Sequence, residues 1–264
     1  MTEKIRNCAL TIAGSDSGGN AGVQADLRAF HAYGVHGCTV MTALTAQNPF
    51  GVSAIYPVSG DFVKAQLKAV LGTYAIGALK TGMLATAEVI EAVADELDGW
   101  REIMMVIDPV MIATSGAKLI NDDAIATLKE KLIPLSTVIT PNLMEAKELT
   151  GLGSDDGETL AKALYDKFGV AAMVKGGHSE DRETAADTIF DGKELTVLKG
   201  MRVAAPVSTH GTGCSLAAAM AAALTKGMSV KAAAASAKEY VFRAIRDSYY
   251  VGEKCGVLGF ERMM

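Results

Sequence analysis

A glycine-rich segment near the end of the chain has the residue types of an anion-binding site. It consists of Ser208-Thr209-His210-Gly211-Thr212-Gly213-Cys214-Ser215, and small apolar residues occupy positions 216–224. That run predicts a helix ending at Lys226-Gly227, because glycine is favoured directly after a helix C-terminus. The segment therefore lies at a helix N-terminus, where unpartnered N–H groups and the helix dipole favour negative charge.

The chemistry that suits this segment is stabilisation of negative charge on a phosphoryl group during transfer. Gly211 and Gly213 lack the Cβ atoms that would keep an anion away from the N–H groups. Together with Thr212 they are the predicted donors of an anion hole. Cys214 lies on the first turn, where the same field is expected to lower the pKa of its thiol, which makes it a candidate base. The alternative is a tight strand-to-helix turn that binds nothing.

Composition excludes several other classes of function. The chain has 264 residues, 50% of them hydrophobic, and a net charge of −5 without a basic cluster, which argues against nucleic acid and anionic membranes. Its polar N-terminus lacks a signal peptide, and it has no uninterrupted apolar run long enough to span a bilayer. Four widely spaced cysteines without a Cys-x-x-Cys pair argue against structural zinc and disulfides. These features predict a cytoplasmic protein.

Hydrophobic patterns predict an alternation of strands and helices. Strands are predicted at residues 8–13, 37–45, 78–81, 103–107, 137–140 and 170–174. Helices are predicted at residues 23–33, 62–71, 86–97, 122–132, 159–168, 216–224 and 230–248. Further β structure is predicted for an edge strand or flap at 51–57, a hairpin of 184–190 with 194–198, and a tract at 202–207, whereas 256–264 is predicted to be a tail. The alternation predicts one α/β domain over residues 1–264, with a mostly parallel sheet flanked by helices.

Functional side chains follow the predicted strands. In parallel sheets of this kind, ligands bind beyond the carboxyl ends of the strands. Seven residues occur just after such ends: Asp16, Gln47, Met83, Asp108, Asn142, Glu145 and Lys175. We expect them to converge with the glycine-rich segment in one cleft. Neither a G-x-G-x-x-G fingerprint nor a P-loop is present. Asn142 and Glu145 also have capping-box spacing, so their role could be purely structural.

Eight motifs, in order from about residue 8 to about residue 245, carry a resemblance to a known family. They are Leu10-Thr11-Ile12-Ala13-Gly14-Ser15-Asp16, Gly22-Val23-Gln24-Ala25-Asp26-Leu27, Thr42-Ala43-Leu44-Thr45-Ala46-Gln47-Asn48, Lys80-Thr81-Gly82-Met83-Leu84, Asp108-Pro109-Val110-Met111, Thr140-Pro141-Asn142-Leu143-x-Glu145-Ala146, Val174-Lys175-Gly176-Gly177-His178 and Thr209-His210-Gly211-Thr212-Gly213-Cys214. Together they resemble bacterial hydroxymethylpyrimidine/phosphomethylpyrimidine kinase of thiamine biosynthesis, a family of the ribokinase-like superfamily.

The resemblance implies a ribokinase-like fold and two ATP-dependent steps. The 5-hydroxymethyl group of 4-amino-2-methylpyrimidine is phosphorylated first, and the monophosphate is then converted to the diphosphate. It also implies Mg²⁺ with the ATP and a homodimer, and leaves open whether K⁺ is needed. Pyridoxal kinases have very similar motifs and some accept both substrates, so a pyridoxal/pyridoxine kinase is the alternative. A third hypothesis is a non-catalytic nucleotide- or vitamin-binding sensor on the same fold.

The resemblance also implies roles for single residues. Cys214 is the base, in a place where many members of the superfamily carry Asp. Gln47 recognises the pyrimidine edge, because an amide offers both a donor and an acceptor. Four further residues line the same pocket, with the last two on either side of the ring: Gly14, Asp26, Met83 and Val110. For Asp26, compensation of the helix dipole is the structural alternative.

The remaining implied roles concern ATP and its metal. Three residues are expected at the ATP phosphates: Asn142, Lys175 and Thr209. Asp108 and Glu145 are the acidic candidates near Mg²⁺, either as direct ligands or through water. The sequence departs from the family at Asn20, where glycine is commoner, so the first loop (residues 14–22) is bulkier. His178 and His210 receive no catalytic role.

Overall fold

The computed structural model describes residues 7–111, 120–177 and 183–260. Its strands are β1 (Cys8–Asp16), β2 (His36–Asn48), β3 (Gly51–Pro57), β4 (Ile76–Thr81), β5 (Met104–Ile107), β6 (Val138–Ile139), β7 (Ala171–Val174), β8 (Thr184–Phe190), β9 (Leu195–Met201), β10 (Tyr249–Tyr250) and β11 (Gly256–Val257). Its helices are α1 (Gly22–Ala32), α2 (Gly60–Leu71), α3 (Ala87–Leu97), α4 (Asp122–Thr127), α5 (Leu143–Thr150), α6 (Gly157–Phe168), α7 (Thr212–Thr225) and α8 (Val230–Arg246).

A mixed sheet in the order β3-β2-β1-β4-β5-β6-β7-β8-β9 forms the centre of the fold. The strands from β2 to β7 in this order pair in parallel, whereas β3, β8 and β9 pair antiparallel with their neighbours. The predicted fold class, a mostly parallel sheet flanked by helices, is confirmed. So are the edge strand at 51–57 and the hairpin that β8 and β9 form.

Neighbouring residues of a strand point to opposite faces of the sheet, and each face is covered by its own helices. On β4, Leu79 belongs to the core beneath α2 and α3, whereas Ala78 belongs to the core beneath α7 and α8. Side chains from Ser215 to Thr225 are all buried, so α7 is apolar on every side. Its alanines allow close approach to β4 and β5, which brings the start of α7 to the carboxyl edge of the sheet.

Local capping signals in the sequence are confirmed. The Thr86 hydroxyl accepts a hydrogen bond from the Val89 N–H and begins α3. Asn142 and Glu145 form a reciprocal capping box at the start of α5. Gly227 follows α7 with φ +84°, as expected for a residue directly after a helix. In the predicted helix 122–132, α4 continues as a wider turn over Leu128–Leu132.

Two predictions about the C-terminal third are wrong. Residues 202–207 are not a β tract, because β9 ends at Met201 and an irregular loop leads to α7. Residues 256–260 are not a loose tail, since β11 pairs with β10 and Leu258 is 2% exposed. A Cβ built at Gly256 would lie 2.3 Å from the carbonyl oxygen of Val207, so glycine lets this segment pack against the loop. Residues 261–264 lie outside the described part.

The order of strands creates a crevice beside β1. The chain leaves β1 to form β2 on one side, and the next parallel strand, β4, lies on its other side. Loops diverge above such a switch point, which is where open α/β sheets bind ligands. Among the described helices, none combines the length and apolar character needed to cross a membrane.

Candidate active site

A cavity of about 980 Å³ lies at the carboxyl edge of the sheet. It is lined by the predicted site residues Gly14, Gln47, Met83, Asp108, Val110, Asn142, Glu145, Lys175, Thr209, Gly211, Thr212, Gly213 and Cys214. These residues come from the carboxyl ends of six strands and the segments that follow them, and from the segment that begins α7. The topology therefore brings together residues that are distant in sequence. Of the predicted site residues, Asp26 lies elsewhere, as described below.

Gly211 and Gly213 have different tasks. Gly211 is the N-cap of α7 with φ +88°, and a Cβ there would lie 1.9 Å from the carbonyl oxygen of Asn20. Gly211 is therefore glycine because the first loop packs against it, which corrects the prediction that it makes room for an anion. Gly213 does face the cavity: its Cβ would lie 3.5 Å from Nζ of Lys175 and 3.9 Å from Oδ2 of Asp108. Its N–H lies in the first turn, which has no intrahelical acceptors.

Lys175 and Asp108 lie beside Gly213, and the buried Glu145 lies near both of them. Lys175 Nζ lies 2.7 Å from Asp108 Oδ1, which also accepts a hydrogen bond from the Thr140 hydroxyl at 3.2 Å. Burial disfavours the charged form of Lys175, yet Asp108 and Glu145 raise its pKa above the ordinary value. Burial raises the pKa of Glu145 to about 7, and nearby Asp108 adds to this effect whereas Lys175 opposes it. Lys175 therefore stays charged, as binding of phosphate requires.

Glu145 and Asn142 use most of their hydrogen-bonding capacity on the backbone. Glu145 Oε2 accepts from the Asn142 N–H at 2.8 Å, and Oε1 lies 3.4 Å from the Met111 nitrogen. Asn142 Oδ1 accepts from the Glu145 N–H at 2.9 Å. Both side chains nevertheless line the cavity. The structural alternative, a capping box, is therefore confirmed. Because the capping box uses only the amide oxygen of Asn142, the amide nitrogen can still donate to a ligand.

Cys214 does not have the lowered pKa that its place on α7 predicts. Burial raises the pKa of its thiol to about 11; the Lys80 ammonium opposes this shift, and the Asp26 and Asp108 carboxylates add to it. The prediction of a thiolate is therefore wrong for this structure. The helix dipole favours the anion, but loss of solvation and two nearby carboxylates outweigh it.

The raised pKa of Cys214 predicts slow alkylation. At pH 7 only about one part in 10⁴ of a thiol with a pKa of about 11 is ionised, against a few per cent for an ordinary cysteine. We expect the rate with iodoacetamide to rise about tenfold per pH unit from pH 7 to 9.5 without levelling off. Mass spectrometry of the Cys214 peptide measures this rate, with N-acetylcysteine as the reference thiol. A plateau below pH 8 would contradict a raised pKa of the Cys214 thiol.

Asp26 is not a residue of the pocket wall, which corrects the sequence-based expectation. It is fully buried beneath the cavity, where Oδ2 lies 3.0 Å from Lys80 Nζ and 2.5 Å from the Thr11 hydroxyl. Oδ1 has no hydrogen-bond partner among the described residues. Burial raises the pKa of Asp26, although Lys80 and Thr11 act against that shift. The side chain of Asp26 therefore points between α1 and the sheet, where no sequence pattern places it.

Lys80 is a residue that sequence reasoning missed. It is fully buried on β4, and burial disfavours its charge, yet Asp26 and Cys214 raise its pKa. A lysine within the apolar run of β4 was the available signal, because a buried lysine requires a partner. The Lys80–Asp26 ion pair supports the wall on which Cys214 lies.

Met83 and Val110 give the cavity wall apolar side chains, and Gln47 gives it an amide. The terminal methyl of Met83 lies 2.6 Å from where a Cβ of Gly14 would be, so glycine makes room for the methionine. Val110 lines the cavity as well, and Gln47 is half-buried beside it. Such a pocket suits a flat ring with polar edges.

The first loop is organised around Asp16. Its carboxylate accepts hydrogen bonds from the N–H groups of Gly18, Asn20 and Ala21 at 2.8–2.9 Å. Burial works against ionisation of Asp16, but the nearby His210 ring and these N–H groups hold its pKa below the usual value. Asn20 is buried, so the bulkier residue is accommodated. His178 lies outside the described residues.

Comparison with known proteins agrees with this geometry. The model of the phosphomethylpyrimidine kinase family matches residues 16–259. The chain belongs to this family. It is accordingly an enzyme that transfers a phosphoryl group.

The chain is similar both to hydroxymethylpyrimidine/phosphomethylpyrimidine kinases and to pyridoxal kinases. The hydroxymethylpyrimidine/phosphomethylpyrimidine kinase of Rhizobium meliloti is 47% identical over 241 residues, covering 90% of each chain. That of Synechococcus elongatus is 45% identical, covering 95% of this chain and 96% of the relative. The ADP complex of Bacillus subtilis pyridoxal kinase superposes with a TM-score of 0.88 at 36% identity, covering 97% of each chain. The fold is thus common to both groups.

Proposed function

We propose that this protein phosphorylates 4-amino-5-hydroxymethyl-2-methylpyrimidine with ATP, and then its monophosphate to the diphosphate, in thiamine biosynthesis. The observation that carries this proposal is the position of Gly213 in the cavity wall at the start of α7, where a Cβ would lie 3.5 Å from Nζ of the charged Lys175 and 3.9 Å from Oδ2 of Asp108. The names of the relatives support the choice of substrate. The apolar pocket with the Gln47 amide fits an aminopyrimidine edge.

The residues present fit Mg²⁺ carried by ATP. Asp108 offers a carboxylate whose Oδ2 faces the space at Gly213, and carboxylate oxygen is the ligand type that Mg²⁺ prefers. Both oxygens of Glu145 contact backbone N–H groups, so we propose that it acts through water. No group of three or more metal-ligating side chains occurs in residues 7–111, 120–177 and 183–260, which suits an ion held mainly by phosphates and water. The ion would neutralise charge on the phosphates.

Binding of ATP places its terminal phosphate at the start of α7 in this proposal. Lys175 supplies a point charge, while the N–H groups of Gly213 and Cys214 supply donors. The Thr212 N–H, predicted to be a donor as well, instead donates to the Thr209 carbonyl oxygen at 3.4 Å. Asn142 and Thr209 line the same part of the cavity and complete the proposed phosphate contacts. Phosphoryl transfer has a loose transition state, so positioning and charge stabilisation contribute more than proton removal.

Cys214 is the proposed contact for the substrate hydroxyl. Because the pKa of its thiol is raised, Cys214 is neutral at rest, and only its thiolate form can accept a proton. The Lys80 ammonium stabilises that thiolate by offsetting part of its charge. We expect Cys214→Ala to lower kcat about 10²-fold, at the low end of general acid–base effects, because positioning and charge stabilisation remain. Steady-state assays with Cys214→Ser as the matched variant measure this loss. If the kcat of Cys214→Ala equals that of the wild type, Cys214 contributes only to packing.

The test of the proposed function is ADP release by the purified protein. We expect ADP formation with the pyrimidine alcohol and with its monophosphate, at a kcat/KM well above that with pyridoxal. The pyridoxal kinase neighbour makes pyridoxal the second candidate substrate, and the reverse ratio would favour it. Binding of either alcohol without ADP release would instead identify a sensor.

We propose a homodimer in the cytoplasm. Three apolar side chains of the β2–β3 ribbon and one of α2 are exposed at a sheet edge: Leu44, Ile55, Tyr56 and Phe62. Leu44 and Tyr56 are directly opposite in the antiparallel register, so their side chains lie together on one face of the ribbon. Exposed apolar surface of this kind supports self-association, which sedimentation velocity measures. Cytoplasmic location accords with the four free cysteines.

A further inference from the structure

His210 lies where three parts of the site meet. Its Nε2 is 3.3 Å from Nε2 of Gln47 and 3.8 Å from Oδ2 of Asp16. The residue directly precedes Gly211, against which the first loop packs. His210 therefore contacts the side chain that faces the substrate pocket and the carboxylate that organises the first loop, and it belongs to the loop that leads into α7. Neither the mechanism above nor the motif assigns it a task.

The amide of Gln47 has a second neighbour that limits its orientation. Gln47 Oε1 lies 3.1 Å from the Thr45 hydroxyl oxygen, which in turn lies 2.8 Å from the Ser15 carbonyl oxygen. A hydroxyl has one hydrogen, and a carbonyl can only accept, so the Thr45 hydrogen is shared between two acceptors. If it goes to Ser15, Thr45 can only accept from Gln47. The orientation of the amide is then decided at its other end, by His210.

The ring nitrogen of His210 presents either a hydrogen or a lone pair to Gln47. A lone pair on Nε2 accepts from the amide nitrogen, whereas a hydrogen on Nε2 requires the amide oxygen in that place. The Asp16 carboxylate at 3.8 Å favours the hydrogen. The tautomer of His210 and the orientation of the Gln47 amide therefore determine each other. Together they decide whether the amide offers a donor or an acceptor to the edge of a bound ring.

We propose that His210 is a positioning residue which fixes the orientation of the Gln47 amide and thereby sets which heterocycle the pocket accepts. This inference rests on the proposed function for the identity of the ring, but the hydrogen-bond chain itself is a property of the protein alone. His210 also joins the substrate pocket to the loop at the start of α7. Its ring thus couples recognition of the alcohol to the site of the phosphate.

A double-mutant cycle tests the inference in the active enzyme. His210→Leu removes both ring nitrogens, and we expect about a tenfold loss in kcat/KM for the pyrimidine alcohol, mostly in KM, as for loss of one good hydrogen bond. In a Gln47→Ala background the same change should cost less than about twofold, because residues that act through one contact are not additive. His210→Gln, whose amide can replace Nε2, should recover most of the loss. Independent, multiplying losses would overturn the inference.

A second measurement does not depend on the substrate. The ¹⁵N signals of the His210 ring, assigned by their loss in His210→Leu, should shift in Gln47→Ala. They should not shift in the control Gln66→Ala, whose amide instead bonds the backbone of Met41. Unchanged ring signals in Gln47→Ala would overturn the inference whatever the substrate is. Failure of the wild type to phosphorylate the pyrimidine, with the ring signals shifted, would overturn the proposed function alone.

Discussion

Replacement of Gly213 by valine is expected to lower kcat by about 10³-fold or more while the protein stays folded. The Cβ of residue 213 would meet Lys175 Nζ at 3.5 Å and Asp108 Oδ2 at 3.9 Å, which are ordinary contacts, and the backbone of Gly213 does not have a positive φ. The added methyl groups would fill the space proposed for the transferring phosphate. Loss of a single charge-stabilising donor already costs about 10²- to 10³-fold, and here the anion itself is excluded.

Two other glycines provide the comparison. Gly99→Val is the matched control, because a Cβ at Gly99 meets nothing within 4 Å and its kcat should equal that of the wild type. Gly211→Val should instead reduce the yield of folded protein, since its Cβ would lie 1.9 Å from a backbone oxygen. Circular dichroism and kcat, measured for all three variants, separate exclusion of the anion from misfolding. A folded Gly213→Val enzyme with normal kcat would remove Gly213 from the site.

The strand and helix order could be predicted because its signals are local. Caps at Thr86 and Asn142, and glycine after α7, depend on neighbouring residues only. Once parallel strands alternate with helices, the rule for carboxyl ends places Asp108 and Lys175 at one edge without any tertiary information. For this reason most of the candidate site follows from the sequence. The prediction of a β tract at residues 202–207 was wrong because Val and Ala there satisfy a strand pattern, although these residues pair with no strand in the described part of the chain.

The errors in the site concern quantities that only packing determines. The pKa of Cys214 depends on burial and on Lys80, Asp26 and Asp108, which are distant in sequence. The direction of the Asp26 side chain depends on how α1 packs on β1. Asp26 was predicted to lie in the first turn of a helix, which is wrong, because α1 begins at Gly22 and has no acidic residue in its first turn. Gly211 and Gly213 look equivalent in sequence, yet one faces a backbone oxygen and the other faces the cavity. Periodicity can be detected in a short stretch of sequence, whereas the burial and the contacts of a side chain depend on residues that are distant in sequence.

Replacement of Lys80 by methionine is expected to destabilise the protein by about 3–5 kcal/mol. Lys80 and Asp26 are both fully inaccessible, and their atoms lie 3.0 Å apart. Methionine fills a similar volume but leaves the carboxylate of Asp26 buried without its cation, and one oxygen of that carboxylate already has no hydrogen-bond partner within the described part of the chain. Removal of one member of a buried ion pair typically has this cost, because an uncompensated charge remains.

The dependence of this loss on pH follows from the raised pKa of Asp26. Without Lys80 that pKa rises further, so the folded variant binds a proton more tightly than the unfolded chain does. Stability of Lys80→Met then falls as pH rises, and part of it returns as pH is lowered below the folded pKa of Asp26. Urea unfolding of variant and wild type at pH 5 and pH 8 measures the difference, which should be larger at pH 8.

A double variant separates lost charge compensation from lost packing. Lys80→Met with Asp26→Asn removes both charges and keeps an acceptor for the Thr11 hydroxyl, so it should be more stable than Lys80→Met alone. Lys64→Met, in the exposed pair with Asp95, is the matched control and should change stability little. Equal stability of the single and double variants would mean that Lys80 contributes through its methylene groups rather than its charge. Lys80 and Asp26 both affect the pKa of Cys214. If the double variant regains stability but not kcat, the Lys80 ammonium also contributes to activity through its effect on the Cys214 thiol.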